Sequence, residues 1–340
     1  MMAADRKNEL AKTSSIMAVA RAAGVSKATV SRVANNRPGV NEKTRSKVWA
    51  VIERLGYQPD ETARGLSLGK NVKVGLNIGF SSRLNLHFLL FRQHLEAALF
   101  SKGLRIEHVP TDENGLPEKG TGLMVICSTF DEDPRVPFLR DKKIPFVALG
   151  KCAADFWVSS DEYSGGRQVA EHLLRLGHVK MLVVAGSVSG KAAMSVPLHT
   201  RATSERIRGF RDVLRDNGLD LPNENILEGG FTGLGGFLAV RQALQEKKDF
   251  SAVFSLSDVM AGGVIRALED HALRVPDDVS VIGFDELPEV GESITTVRQN
   301  TEELANAVAD LLDEAATGAA PRHITVPVEL VVRGTTMRCG

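Results

Sequence analysis

No stretch of the chain approaches about 18 consecutive apolar residues, so nothing in it reads as a membrane-spanning helix. The first 14 residues are polar and charged and lack the apolar centre of a secretion signal. They are expected to form an extension outside the packed fold. Cysteine is scarce: Cys127, Cys152 and Cys339 are scattered, odd in number and without metal-ligand spacing, as expected of reduced thiols in a cytoplasmic protein. The histidines form no His-Glu-x-x-His set, although His87 and His94 could share a helix face. No nucleophile–base pair stands out, so neither an enzyme nor a bound cofactor or metal is expected. Gly186-Ser187-Val188-Ser189-Gly190-Lys191-Ala192 has three residues between its glycines where a phosphate loop has four. It also lacks the Ser or Thr that would hold magnesium, and the Gly229–Gly236 run lacks dinucleotide spacing.

Net charge is absent only in total. The 340 residues carry 42 basic and 42 acidic side chains, but residues 1–70 hold 13 basic against 6 acidic, a net +7, leaving the remainder at −7. A basic head attracts a phosphate backbone, and an acidic body resists non-specific spreading on it.

What is present begins at Ile16. Ile16, Val19, Ala20 and Ala23 recur at spacings of three and four, one face of a short helix. Gly24 supplies a permissive turn, Val25 fills the corner, and Ser26 can cap a second helix whose buried side carries Val30 and Val33. Lys27, Ala28, Thr29, Ser31 and Arg32 are then left to face outward. This is helix-turn-helix patterning, in which a first helix braces a second whose N-terminal residues reach base edges in the major groove. Asn35-Asn36-Arg37-Pro38-Gly39 reads as a turn. Asn41 can cap a third helix with core face Val48, Val51, Ile52 and Leu55, which Gly56 can end. Asp60–Leu66 is helix-prone but has no core of its own.

Beyond Lys73, apolar strands alternate with amphipathic helices. Strands are expected at Val74–Ile78, Leu123–Cys127, Pro145–Leu149, Val179–Ala185, Ala252–Ser255, Ser280–Phe284 and Val326–Val332. Helices are expected at Phe88–Phe100, Gly165–Leu176, Arg206–Asn217, Phe237–Gln245, Val259–Asp270 and Glu302–Ala316. The fold class is α/β: an all-α head on a body of doubly wound parallel sheets, which bind ligands beyond the carboxyl ends of their strands.

The chain resembles the lactose/galactose-repressor family of bacterial transcription regulators. In the head the resemblance runs through Val25-Ser26, Thr29-Val30-Ser31-Arg32-Val33, Asn35, Thr44-Arg45, Val48, Leu55-Gly56-Tyr57, Pro59, Ala63-Arg64 and Leu66. In the body it runs through Asp161, Gly165, His172-Leu173, Leu176-Gly177-His178, Arg206, Gly209-Phe210, Asp258, Ala261, Val281–Asp285 and Thr295-Thr296-Val297. The resemblance implies a helix-turn-helix domain over 15–58, a hinge over 59–70 and a two-lobed, periplasmic-binding-protein-like body over 71–340. Lobe 1 would comprise about 71–160 and 294–322, and lobe 2 about 161–293 and 323–340, with crossings near Ser160, Ile294 and His323.

It implies a sequence-specific regulator, a repressor, acting as a homodimer on a pseudo-palindromic operator in double-stranded DNA. The protein would work at the nucleoid, without a membrane partner. Lys27, Ala28 and Arg32 would read bases, and Thr29, Ser31 and Asn35 would position the head on phosphates, with Ser26 and Tyr57 beside them. The Asp60–Leu66 segment would dock in the minor groove through Ala63, with Leu66 wedged into the central step. The effector, a sugar or sugar derivative, would meet Arg206, Asp285, Phe231 and Asp258, and also Ser257, Asp161 and Gln299. From chemistry alone Arg206 offers a fork of donors, Asp285 a carboxylate at a strand end, and Phe231 a ring for an apolar sugar face. Arg206 could equally form a structural salt bridge, and Asp258 could simply cap the helix it begins.

Departures are visible too. Ser257 and Asp60 stand where the family usually has Asn, and Gly79-Phe80-Ser81-Ser82 lacks the usual acidic residue. The chain is shorter between Arg105 and Leu123 and longer between Gly186 and Arg206. No leucine heptad of the kind that makes tetramers follows the last strand. The alternative is a constitutive DNA-binding dimer whose cleft no longer takes a ligand.

Overall fold

A computed structural model of the protein describes residues 16–34, 40–55, 72–78, 86–119, 121–186, 200–288 and 290–340. It divides into two compact units, Met1–Val72 and Lys73–Gly340.

In the first unit, α1 (Ile16–Ala23), α2 (Lys27–Ala34) and α3 (Glu42–Leu55) enclose a small core. Val19, Ala20, Ala23, Val30, Val33, Val48, Val51 and Ile52 are buried together, with Val25, Val40 and Leu55 packed at its edge. The corner between α1 and α2 turns at Gly24, whose φ of +62° an L side chain rarely adopts. Val25 N then donates to Ala20 O at 3.0 Å. Ser26 Oγ accepts from Thr29 N at 3.1 Å, and Asn41 Oδ1 from Thr44 N at 2.8 Å, so both expected caps form.

The body begins with β1 (Val72–Asn77), followed by α4 (Leu86–Ser101), β2 (Leu104–His108), β3 (Leu123–Ile126), α5 (Arg135–Asp141), β4 (Phe146–Leu149) and β5 (Phe156–Ser160). A later strand, β11 (Arg322–Val326), completes a six-stranded sheet of order β11-β5-β4-β3-β1-β2. The second lobe comprises α6 (Glu162–Arg175), β6 (Met181–Ala185), α7 (Arg201–Asp216), β7 (Ile226–Glu228), α8 (Gly233–Gln245), β8 (Ala252–Ser255), α9 (Asp258–Glu269) and β9 (Ser280–Ile282). Its sheet has the order β7-β6-β8-β9, all parallel. β10 (Thr296–Gln299) runs beside the end of β9 through the bridges Ile282–Thr295 and Asp285–Arg298, and pairs antiparallel with β12 (Val328–Val331). α10 (Thr301–Thr317) packs back on α4 and on the first sheet.

The chain leaves the first sheet after Ser160, returns at Thr301 to a helix packed on it, and leaves it again after Val326, since Arg322–Val326 pairs with Phe156–Ser160 along its whole length. Among the described residues between β2 and β3 there is no helix. Thr111 and Pro117 pair across a turn instead, with Asp112 Oδ1 accepting from Asn114 N at 2.9 Å and Leu116 N at 2.8 Å. None of the described helices is long and apolar enough to cross a membrane.

Candidate functional site

On the head, Ser26, Lys27 and Arg32 are exposed and Thr29 is half-buried, beside the buried Val30 and Val33. Helical periodicity therefore presents Lys27 and Arg32 to solvent because the opposite side of α2 is committed to the core. Ala28 and Ser31 lie on the same helix, but their side chains fall outside the described residues. So do Asn35, Tyr57, Ala63, Leu66 and the whole hinge segment, as well as the first cleft loop and the segment 187–199.

In the body, the carboxyl end of β9 and the start of α7 meet in a buried polar cluster. Arg206, in the second turn of α7, lays its guanidinium over the Phe284 ring at 3.6 Å from the centroid. Its Nε donates to Glu162 Oε2 at 2.6 Å and its Nη1 to Leu256 O at 2.8 Å, while Asp285 Oδ1 lies 4.0 Å from Nη1. Asp285 in turn accepts from Gln299 Nε2 at 2.7 Å, and Gln299 Oε1 accepts from Ser160 Oγ at 2.6 Å. Ser160 ends β5 and Gln299 ends β10, so the Asp285 carboxyl is linked through Gln299 to the ends of strands in two different sheets. From lobe 1, His87 on the first turn of α4 brings Nδ1 to 3.7 Å from Asp285 Oδ1. Asp285 itself sits at φ +119°, a strained conformation for a side-chain-bearing residue.

Burial governs the charges here. It pushes the His87 imidazole down to about 4, helped by the Arg206 charge, so the ring is neutral. It pushes the Asp285 carboxyl up to about 7 against the opposing pull of Arg206. The carboxyl of Asp258 is raised to about 7 as well, first by burial and then by Asp285.

Asp258 does not cap its helix. Ser257 does, accepting from Met260 N at 3.2 Å. The Asp258 carboxylate faces the other way and accepts from Thr296 Oγ1 at 2.6 Å and Leu287 N at 2.8 Å, tying α9 to β10 and to the loop after β9. Asp161 is the cap of α6, accepting from Ser164 N at 3.1 Å. Phe231 stands at φ +55° after Gly229-Gly230 and lays its ring over Gly186 at the carboxyl ends of β6 and β7. No hydrogen bond or ring contact joins it to the Arg206 cluster among the described residues. The cluster therefore unites Arg206, Asp285 and Gln299, while Ser257, Asp258 and Asp161 serve helix ends and strand ties.

Sequence alone does not single out Glu162, and it marks His87 only as a possible helix-face neighbour of His94 and Ser160 only as a crossing point. Glu162 reads as an acidic residue in a helix first turn, where the helix dipole alone accounts for it. His94 parts company with His87: its Nδ1 lies 2.9 Å from Thr301 Oγ1. No metal-binding group of His, Cys, Asp and Glu occurs among the described residues. Cys127 is buried, Cys152 half-buried and Cys339 exposed, all three free thiols.

The raised Asp258 carboxyl has a measurable consequence. A folded state that holds a proton the unfolded chain has already lost gains stability as pH falls, and loses it as pH rises from about 4 through about 7. Asp258→Asn keeps an acceptor for Leu287 N and a donor for Thr296 Oγ1. Thermal unfolding of the body between pH 5 and 8 should accordingly show a flatter profile in the variant. At its steepest the lost slope is worth about 1.4 kcal/mol per pH unit. An unchanged profile would mean that Asp258 is ionised in the fold.

Comparison with known proteins adds to this geometry. A family model described as bacterial regulatory proteins, lacI family, matches residues 15–60, and one for a periplasmic binding protein-like domain matches residues 170–336. The HTH-type transcriptional repressor PurR of Klebsiella pneumoniae (strain 342) is 30% identical over 313 residues, 86% of this chain and 88% of that protein. A complex of the transcriptional regulator CelR with cellobiose superposes with TM-score 0.66 at 26% identity, over 94% of this chain and 99% of that one. The lac repressor dimer bound to operator and the anti-inducer ONPF gives 0.67 at 24% identity, over 95% and 99%.

Proposed function

The chain belongs to the lacI family of bacterial regulatory proteins, DNA-binding transcriptional regulators, and from that premise we propose that it represses as a homodimer on a pseudo-palindromic operator, with a sugar or sugar derivative between its lobes as effector. The observation that carries the effector half is the buried chain Arg206–Asp285–Gln299–Ser160. A ligand engaging Arg206 and Asp285 would bear directly on the strands where the lobes cross. Closure would then bias the two hinge segments of the dimer and so DNA affinity, and the coupling is reciprocal.

The DNA half rests on α2. Arg32 and Lys27 are exposed on the helix that the HTH core holds outward, and Arg to guanine is the commonest specific contact. The protein is read as working at the nucleoid in the cytoplasm.

The test begins with operators selected from a random DNA pool by the full-length protein. Fluorescence anisotropy should then give inverted half-sites as the selected sequence, and Arg32→Ala should weaken binding by about 5- to 100-fold, the scale of one bidentate base contact. Equal affinity in that variant would remove α2 as the reading helix. Single, unrepeated half-sites would remove the dimer.

A further inference from the structure

We propose that Glu162 sets the charge class of the effector, so that the cleft takes a neutral or cationic, hydroxyl-rich molecule and rejects its carboxylate and phosphate counterparts. The inference rests on reading the cleft as an effector site.

Arg206 is already committed within the protein. Bidentate capture of a carboxylate or phosphate needs a parallel pair of guanidinium donors. Here Nε is engaged by Glu162 and Nη1 by Leu256 O, and one face is covered by Phe284. Nη2 is the nitrogen without a protein partner among the described residues, and one nitrogen suits a hydroxyl or carbonyl oxygen. Charge points the same way. The groups facing one another are one guanidinium, two carboxylates (Glu162 and Asp285) and the imidazole of His87, with Asp258 behind them. Side-chain exposure is 8% for Arg206, 10% for Glu162 and 7% for Asp285, so solvent screens them poorly. Among the described residues Arg206 is the cation of this cluster and Glu162 already pairs with it, so an anionic ligand would bring a negative charge that no second described cation meets. Burial keeps the imidazole uncharged and offers no second cation.

The remaining polar atoms describe what the ligand would bring. Two buried polar atoms have no hydrogen-bond partner among the described residues: His87 Nδ1, beside Asp285, and Thr203 Oγ1, three residues before Arg206 on α7. Buried polar atoms are normally satisfied, and these await a partner. Of these, His87 Nδ1 lies 3.7 Å from Asp285 Oδ1, and with the Glu162 carboxylate and the Asp285 carboxyl oxygens the groups around Arg206 are rich in acceptors. Sugar hydroxyls and ammonium groups donate to such a set, and deprotonated acids do not.

The experiment uses full-length protein, operator-competent by gel shift, in thermal unfolding and calorimetric titration. The probes are matched sets: glucose, 2-amino-2-deoxyglucose, glucuronate and glucose 6-phosphate, the corresponding galactose and ribose compounds, cellobiose and hypoxanthine. Hits are expected only among neutral and amino members, each binding at least tenfold tighter than its anionic counterpart. In Glu162→Gln the anionic counterpart should gain at least tenfold relative to the neutral parent. Glu162→Asp should keep the wild-type ranking, and it decides the matter together with wild type if the Gln variant does not fold. A uronate or phosphate that binds wild type more tightly than its parent overturns the proposal. A panel silent in every variant, with operator binding intact, instead overturns the effector reading itself and this inference with it.

Discussion

Gly263→Ala is expected to destabilise the body and Gly262→Ala, one residue earlier on the same helix, to stabilise it. A Cβ on Gly263 would lie 1.9 Å from Gly233 O, the backbone of the facing helix α8, whereas a Cβ on Gly262 meets nothing within 4 Å. Alanine gains up to about 1 kcal/mol over glycine in a helix interior. At Gly262 that gain stands alone. At Gly263 it is opposed by overpacking, typically about 1–3 kcal/mol and more where the struck atom is backbone and cannot swing aside.

The second helix pair is built the same way, and there the effect reaches the cleft. A Cβ on Gly166 would come within 2.0 Å of Arg206 O, and one on Gly209 within 2.1 Å of Tyr163 O. Reciprocal glycines thus let α6 and α7 touch backbone to backbone, which brings Glu162 on one within reach of Arg206 on the other. Gly209→Ala should cost about 2–3 kcal/mol net and also weaken any cleft ligand, since the separation it forces acts on the Glu162–Arg206 pair. Differential scanning calorimetry of the three variants reads the signs directly. A stabilised Gly263→Ala or Gly209→Ala would mean that the helices stand further apart.

Such close contacts explain what was legible in the sequence. Residues whose side chains decide the structure alone were readable: the Val19–Ala23 face, Gly24, Ser26 and Asn41 all took their expected places, and Ala252–Ser255 was located to the residue. Buried parallel strands announce themselves as apolar runs. The strands missed, β2, β5, β7, β10 and β11, are short or interrupted by polar residues, and two of them show why. β5, Phe156-Trp157-Val158-Ser159-Ser160, ends in serines because one of them is hydrogen-bonded to Gln299. β11, Arg322-His323-Ile324-Thr325-Val326, is an edge strand, mostly exposed, with no apolar run to show.

The cleft shows the same division. Arg206 and Asp285 could be chosen because a guanidinium and a strand-end carboxylate have recognisable chemistry. That the same guanidinium would also be held by Glu162, 44 residues earlier in the chain, depends on the packing of two helices and could not be read from either alone. Asp258 is the converse case. Its position at a helix start suggested a cap, but the neighbouring Ser257 took that role and freed the carboxylate to tie β10.

Arg135→Ala should produce the largest loss of stability of any single truncation proposed for the body, about 3–5 kcal/mol, because it strands a buried carboxylate. Arg135 and Asp133 are 1% and 2% exposed, at the start of α5. Arg135 donates from Nε and Nη2 to the two Asp133 oxygens at 2.9 and 2.6 Å. It also donates from Nη1 to Asn77 Oδ1 at 2.9 Å and from Nη2 to Cys127 O at 2.8 Å. Asn77 ends β1 and Cys127 follows β3, so one side chain binds together the carboxyl ends of two central strands. Asn77 then passes the restraint on, donating to Val109 O at 2.9 Å and Thr111 Oγ1 at 3.1 Å, which anchors the turn standing where a helix was missing. Truncation removes the guanidinium donors to both Asp133 oxygens, to Asn77 Oδ1 and to the Cys127 carbonyl, and leaves the buried Asp133 charge with the backbone N of residue 135, 3.0 Å from Oδ1, as its remaining donor from that residue. Replacing the pair together, as Asp133→Asn with Arg135→Met, removes the unpaired charge and should recover much of the loss, since apolar substitutes for buried pairs are often close to neutral. Chemical denaturation of Asp133→Asn, Arg135→Met and the double variant closes the cycle. A coupling near zero would show that Arg135 acts through packing alone. The expected coupling of several kcal/mol would identify it as the clasp that fixes the cleft-side rim of the first sheet.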